Sequence, residues 1–131
     1  TAVGHTLRGL RARYGEGRIL AVFEPRTATS ARRCFQEAYA RAFDAADRVL
    51  IAPVGRAGLP PEERLDVERL AKEIASAGPP ARALADLDAI VADLTDTASA
   101  GDTVVIMSNG GFGGIHARVE AALRGRQARA R

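Results

Sequence analysis

The chain has 131 residues, of which 47% are hydrophobic and 27% are charged, so it is long enough for one globular domain with its own core. No apolar run approaches the length of a membrane span, and the N-terminus has no signal-peptide pattern, so a cytoplasmic location without a membrane partner is expected. The net charge of +3 does not predict a nucleic-acid partner, because arginines cluster in residues 124–131, a segment expected to be a frayed tail, and aromatic residues make up only 5% of the chain.

Helical patterns alternate with short apolar runs from the start of the chain. Residues 1–14 predict a helix, because apolar side chains recur every three or four positions. Residues 18–23 predict a strand that is apolar on both faces, which is typical of a parallel sheet covered by helices on each side. A helix that Thr29 or Ser30 can cap follows; it runs to about Ala42 with Ala38 on its buried face, and a second apolar strand over 48–52 comes next.

The second half of the chain continues this alternation. Asp66 is expected to cap a helix whose buried stripe includes Ala75. The remaining elements are a weak strand at 82–84, a helix that begins at Asp86 or Asp88, a strand at 103–106 and a helix from Ile115. The order predicts a single α/β domain: a Rossmann-like, mainly parallel sheet with helices on both faces and right-handed crossovers.

A glycine-rich run joins the last predicted strand to the last predicted helix. Glycines let the backbone approach a ligand closely, and the N–H groups at a helix start favour an anion. The alternative is a tight strand-to-helix connection without a ligand. The run and its neighbours are candidate binding residues: Ser108, Asn109, Gly110, Gly111, Phe112, Gly113, Gly114 and His116.

A second polar loop follows the first predicted strand. It carries Glu24, suited to a cation or an ammonium group, and Arg26, suited to an anion. Since parallel strands end at the same edge of a sheet, this loop and the glycine-rich run are expected to lie at the same edge.

Several chemical motifs are absent from the sequence. It has no phosphate-binding P-loop, no dinucleotide G-x-G-x-x-G pattern and no G-x-S-x-G nucleophile turn. His5 and His116 have no cysteine or carboxylate at metal-ligand spacing, so no metal site is predicted. The single cysteine, Cys34, excludes an internal disulfide and lies in a helical pattern, so a core position is expected.

Four segments resemble the third, C-terminal domain of the Mur ligase superfamily, and within it the murein peptide ligases. The Phe-Glu-Pro-Arg segment at 23–26 resembles one family motif, and residues 107–116 match the closing motif residue for residue. Thr1-Ala2-Val3 is similar to the end of a segment that opens that domain, and residues 61–66 to the loop before its middle helix.

The resemblance implies an ATP- and Mg²⁺-dependent ligase. It would join UDP-N-acetylmuramate to the tripeptide L-alanyl-γ-D-glutamyl-meso-diaminopimelate, through an acyl phosphate, in peptidoglycan recycling. Residues 108–114 and His116 would contact the peptide, and four residues would face the nucleotide cleft: Glu24, Arg26, Ser30 and Arg33.

The same resemblance implies that this chain depends on other domains. ATP and Mg²⁺ would be bound mainly by a central domain, and UDP-N-acetylmuramate by an N-terminal domain, so this chain alone is predicted to be inactive. Two alternatives stay open: a non-catalytic module that binds wall peptides, and a Mur-type ligase for another amino acid.

Overall fold

The computed structural model describes residues 2–13, 17–25, 36–53, 60, 62–63, 65–99, 101–107 and 114–129. Their order is the predicted alternation of helix and strand. The elements are α1 (Ala2–Arg13), β1 (Ile19–Phe23), α2 (Gln36–Ala42), β2 (Arg48–Ile51), α3 (Val67–Ala77), β3 (Ala81–Ala83), α4 (Leu87–Thr97), β4 (Thr103–Met107) and α5 (Ile115–Arg129).

The four strands form one parallel sheet in the order β3-β2-β1-β4. β1 lies inside the sheet, and all five of its residues are buried. Its continuous apolar sequence is explained by this position, because helices cover both faces of the strand. The α/β class and the parallel sheet predicted from the sequence are therefore confirmed.

Successive residues of β1 point to opposite faces and divide the core into two layers. Ile19, Ala21 and Phe23 pack with apolar residues of α1, α2 and α3. Leu20 and Val22 pack with apolar residues of α4 and α5. Strand β1 thus joins the two layers, and its ends fix where the connecting loops emerge.

Aspartates begin two of the helices. The Asp66 side chain accepts a hydrogen bond from the Arg69 amide and caps α3, as predicted. The Asp86 side chain accepts a hydrogen bond from the Ala89 amide, which decides between the two candidates for the start of α4.

Two predictions about buried helix faces are wrong. Ala38 and Ala75 are both exposed, although each falls on an apolar stripe in the sequence. A methyl side chain contributes little hydrophobic energy, so alanine follows the stripe less strictly than leucine or isoleucine does. Helix α5 extends to Arg129 and so includes part of the segment expected to fray. Cys34 lies outside the described residues.

The described helices include none that is long and apolar enough to cross a membrane.

Ion pairs stabilise the amino-terminal edge of the sheet. Arg18, just before β1, binds Asp102, just before β4, with an Nη2–Oδ2 distance of 2.6 Å. Asp102 also accepts a hydrogen bond from the Ser99 amide. Asp47, just before β2, pairs with Arg11 and accepts the Ile19 amide at 2.7 Å. These contacts link the starts of β1, β2 and β4 to one another and to the end of α1.

The same contacts lower the pKa of both aspartates. The Arg18 hydrogen bond holds the pKa of Asp102 below its usual range, against the effect of burial, with help from the Ser99 amide. Burial raises the pKa of Asp47, but the Ile19 amide and Arg11 outweigh it and the net shift is downward. A carboxyl with a lower pKa in the folded state contributes stability above its unfolded pKa of about 3.9, and loses it as the pH falls through the folded value.

We therefore expect acid to destabilise the protein partly through Asp102. At pH 7 the Asp102→Asn variant should be less stable than the wild type, and this difference should shrink as the pH falls below about 4. Urea denaturation at pH 7, 5 and 3 measures both effects. A stability difference that stays constant down to pH 3 would contradict the assignment.

Candidate binding site at the carboxyl edge of the sheet

The carboxyl ends of β1 and β4 form the point where the chain connections diverge. From β1 the chain continues to β2 and β3 on one side, while β4 lies on the other side of β1. In open parallel sheets a crevice opens at such a point, and ligands bind in it. The two polar segments singled out in the sequence leave the sheet here.

Glu24 lies at the carboxyl end of β1, beside the end of β4. Its amide donates a hydrogen bond to the Met107 carbonyl at 3.0 Å, just beyond the register pair of Phe23 and Met107. Only 9% of Glu24 is exposed. Strand alternation assigns it to the face of Leu20 and Val22, which α4 and α5 cover. The expectation that the two polar loops follow strand ends at the same edge of the sheet is therefore confirmed.

Gly114 closes the glycine-rich run. Its φ is +71°, in the left-handed region that favours glycine, and the next residue, Ile115, is fully buried and begins α5. His116 is exposed in the first turn of this helix. Met107, just before the run, is thus held by the sheet. Gly114, at the end of the run, is followed by a residue that lies in the core.

The other predicted site residues lie outside the described part of the chain, and their roles stay predictions. They are Ser108, Asn109, Gly110, Gly111, Phe112, Gly113, Arg26, Ser30 and Arg33.

An ion pair at this edge was not predicted. Arg118, in the second turn of α5, pairs with Asp88 in the first turn of α4. The Arg118 side chain is 40% exposed and that of Asp88 is 83% exposed. The two residues are 30 positions apart, and no sequence pattern links them. A surface pair of this kind contributes little stability, but it places a guanidinium near the start of α5.

The described residues provide no ligand set for a metal ion. No group of three histidine, cysteine, aspartate or glutamate side chains comes together among them.

Replacing Gly114 with alanine should weaken this turn. No atom lies within 4 Å of the position that the added Cβ would take, so the cost is conformational and amounts to about 1 kcal/mol. Gly125→Ala is the matched control in the same helix: its Cβ also meets nothing within 4 Å, and alanine should raise stability by up to about 1 kcal/mol. Thermal unfolding of both variants measures the contrast. Equal stabilisation by the two substitutions would contradict a left-handed Gly114.

Comparison with known proteins assigns the family. Residues 1–110 match the family model described as "Mur ligase, glutamate ligase domain". The chain belongs to this family. The Mur ligase domain fold predicted by resemblance is therefore confirmed.

Two curated relatives are ligases named for different amine substrates. Over 120 residues, 91% of this chain and 24% of the relative, the Mur ligase domain is 35% identical to the UDP-N-acetylmuramate–L-alanyl-γ-D-glutamyl-meso-2,6-diaminoheptandioate ligase of Escherichia coli (strain K12). Over 105 residues, 80% of this chain and 22% of the relative, it is 36% identical to the UDP-N-acetylmuramate–L-alanine ligase of Synechococcus sp. (strain RCC307). The chain thus spans less than a quarter of the length of these relatives.

The solved structure of a murein peptide ligase is also similar to this chain. The murein peptide ligase of Psychrobacter arcticus 273-4 superposes with a TM-score of 0.74 and 31% sequence identity, over 93% of this chain and 25% of that one.

Proposed function

We propose that this Mur ligase domain binds the peptide substrate of an ATP-dependent ligase that joins UDP-N-acetylmuramate to L-alanyl-γ-D-glutamyl-meso-diaminopimelate. The main support is the position of Met107, the residue before the glycine-rich run, whose carbonyl accepts a hydrogen bond from the Glu24 amide where the chain connections of the sheet diverge. The names of the Escherichia coli and Psychrobacter arcticus ligases support the choice of peptide.

In this proposal the two loops have separate tasks. Residues 108–114 and His116 contact the peptide, while Glu24, Arg26, Ser30 and Arg33 face the nucleotide cleft. ATP, Mg²⁺ and UDP-N-acetylmuramate are bound by other domains of a longer ligase, since this chain has no P-loop. The domain alone therefore forms no amide.

The second candidate is a ligase that adds free L-alanine to UDP-N-acetylmuramate. The 36% identity to the Synechococcus ligase favours it. The two candidates differ in how much of an extended peptide the crevice must hold, and substrate comparison separates them.

The test uses the full-length protein that contains this chain, with ATP, Mg²⁺ and UDP-N-acetylmuramate. ADP and amide formation are measured with the tripeptide and with L-alanine. We expect kcat/KM to be at least about 100-fold higher for the tripeptide, because a site built for its polar groups loses those contacts with alanine. The reverse preference would establish the second candidate, and no amide with either amine would refute both.

A further inference from the structure

The two outer strands of the sheet differ in how well they suit an open edge. β3 has three residues, and its middle residue, Arg82, is exposed. Short length and a charge are usual features of an edge strand that does not pair further. β4 has five residues and no charge, and all five are half-buried, whereas all five residues of β1 are buried. β4 therefore has the sequence of a strand with a neighbour on each side.

The backbone of β4 directs hydrogen-bonding groups to its outer side. The Thr103 amide donates to the Arg18 carbonyl, and the Met107 carbonyl accepts from the Glu24 amide, so the backbone groups of Thr103 and Met107 face β1. Successive residues of a strand direct these groups to alternate sides, so those of the Val104 and Ile106 positions point away from β1. Within the described part of the chain, no strand lies on that side of β4.

Apolar side chains of β4 are half-buried on both faces of the sheet. Val105 and Met107 lie at the margin of the core layer that contains α1, and Val104 and Ile106 lie at the margin of the layer that contains α4 and α5. A further strand on the outer side of β4 would extend both layers, because its side chains also point alternately to the two faces. Such a strand must be apolar on both faces, as β1 is.

The chain connections indicate which segment supplies this strand. α2 and α3 lie on one face and carry the chain from β1 toward β3, while α4 lies on the other face and carries it back to β4. These three crossovers therefore share one hand, as parallel sheets require. α1 lies on the same face as α2 and α3 and leads into β1. A parallel strand before α1 must then lie on the β4 side of β1, and because β4 occupies the adjacent place, that strand must pair with the outer side of β4.

α1 has the orientation and the length of a crossover helix. Its last turn lies at the amino-terminal edge of the sheet, where Arg11 pairs with Asp47. The 12 residues of α1 span about 18 Å, close to the roughly 17 Å of a five-residue strand. α1 therefore begins near the carboxyl edge, which is where a preceding parallel strand would end.

We propose that the outer side of β4 binds a strand from the segment that precedes Thr1 in the longer ligase, parallel to β4 and apolar on both faces. This inference rests on the proposed function only in placing the chain within a longer ligase, which the length of the curated relatives supports. Connections between strands and helices in α/β units are short, so the strand lies within about 15 residues before Thr1. Its carboxyl end lies beside Met107, at the edge of the candidate binding site.

Hydrogen exchange of the full-length protein, resolved to single amides, tests whether the outer side of β4 is paired. The Val104 and Ile106 amides should be protected to within about 10-fold of the Val105 amide, which faces β1 and serves as the internal control. Exchange at Val104 and Ile106 at least about 100-fold faster than at Val105 would overturn the proposal. Protection should also survive dilution of the protein, whereas protection that is lost on dilution would assign the edge to a second copy and overturn the proposal.

Disulfide trapping identifies the segment that pairs with β4. In full-length protein freed of its natural cysteines, with Cys34→Ser in this chain, Ile106→Cys is combined with a cysteine at each of the positions before Thr1 in turn. A disulfide within one molecule should form at one position or at two positions that are two residues apart, since only alternate side chains share a face with residue 106. Ala83→Cys, on β3 at the opposite edge, is the matched control and should form none. No disulfide from Ile106→Cys, or only disulfides between molecules, would contradict the assignment.

These measurements and the amide assay fail independently. A full-length protein that forms the amide but leaves the outer side of β4 unpaired refutes this inference and not the proposed function. A paired β4 in a protein that forms no amide refutes the proposed function and leaves the interface in place. Hydrogen exchange uses the wild type, so the test stands even if a cysteine variant does not fold.

Discussion

Replacing Asp93 with asparagine is expected to lower the free energy of unfolding by about 3 kcal/mol. The Asp93 side chain is only 4% exposed and receives two hydrogen bonds from Arg48 to Oδ1, at 3.1 and 3.0 Å, and a third to Oδ2 at 2.8 Å. Arg82 adds one more at 2.9 Å. Asparagine has nearly the same shape but no charge, and its amide nitrogen cannot accept these hydrogen bonds.

The size of this effect depends on how well water solvates the two arginines that lose their carboxylate partner. The Arg48 side chain is 20% exposed and would remain as a poorly solvated charge, whereas Arg82 is 60% exposed and water can solvate it. The loss should therefore fall at the lower end of the range for breaking a buried ion pair. Arg48→Ala should likewise cost more than Arg82→Ala.

Urea denaturation at pH 7 measures the change, with Glu73→Gln as the control. Glu73 pairs with Arg69 one turn earlier on α3, and the Arg69 side chain is 66% exposed. A surface pair of this kind contributes about 0.5 kcal/mol or less. A loss below about 1 kcal/mol for Asp93→Asn would show that the buried carboxylate is not stabilised by its two arginines.

The cluster of Asp93, Arg48 and Arg82 is also an arrangement that the sequence does not predict. Strands β1 and β4 could be predicted because their sequences are almost continuously apolar. The capping role of Asp66 could be predicted because its side chain bonds to an amide only three residues away. Arg48 and Asp93 are 45 positions apart, and each alone has the sequence context of a surface residue. Only the pairing of β2 with β3, and the packing of α4 against them, brings the cluster together.

The sequence predicted where the candidate site lies better than it predicted which residues contact one another there. The rule that parallel strands end at one edge of the sheet placed the loop that begins at Glu24 and the glycine-rich run at the same edge, and the hydrogen bond from the Glu24 amide to Met107 agrees. A left-handed Gly114 follows from the need to turn sharply into α5. The pairing of Arg118 with Asp88 depends on how α4 and α5 pack, which local sequence patterns do not encode.

Replacing Gly17 with alanine is expected to lower the free energy of unfolding by about 2–3 kcal/mol. A Cβ at this position would lie 2.4 Å from the carbonyl oxygen of Gly101, far inside the distance that two such atoms tolerate. The obstacle is backbone, so no side-chain rotation relieves it. Since the positive-φ glycines among the described residues are Gly101 and Gly114, the requirement at Gly17 is for space and not for a left-handed conformation.

The strain would fall on the pairing of β1 with β4. Next to the contact, the Thr103 amide donates to the Arg18 carbonyl at 2.8 Å, and the Arg18–Asp102 ion pair joins the same two segments. Moving the Gly101 turn outward would stretch these contacts at the start of β4, the strand that leads to the glycine-rich run. A substitution at the amino edge should therefore also disturb the carboxyl edge, for which we propose peptide binding, although Gly17 lies at the opposite end of β1.

Gly9→Ala is the matched control, measured by thermal and urea unfolding beside Gly17→Ala. Gly9 lies inside α1, and a Cβ there would meet nothing within 4 Å. Alanine should raise the stability of this helix by up to about 1 kcal/mol, so the same substitution is expected to have opposite signs at the two positions. If Gly17→Ala is as stable as the wild type, the Gly17 and Gly101 segments do not touch in solution, and β4 is positioned by its ladder with β1 and by the Arg18–Asp102 pair alone.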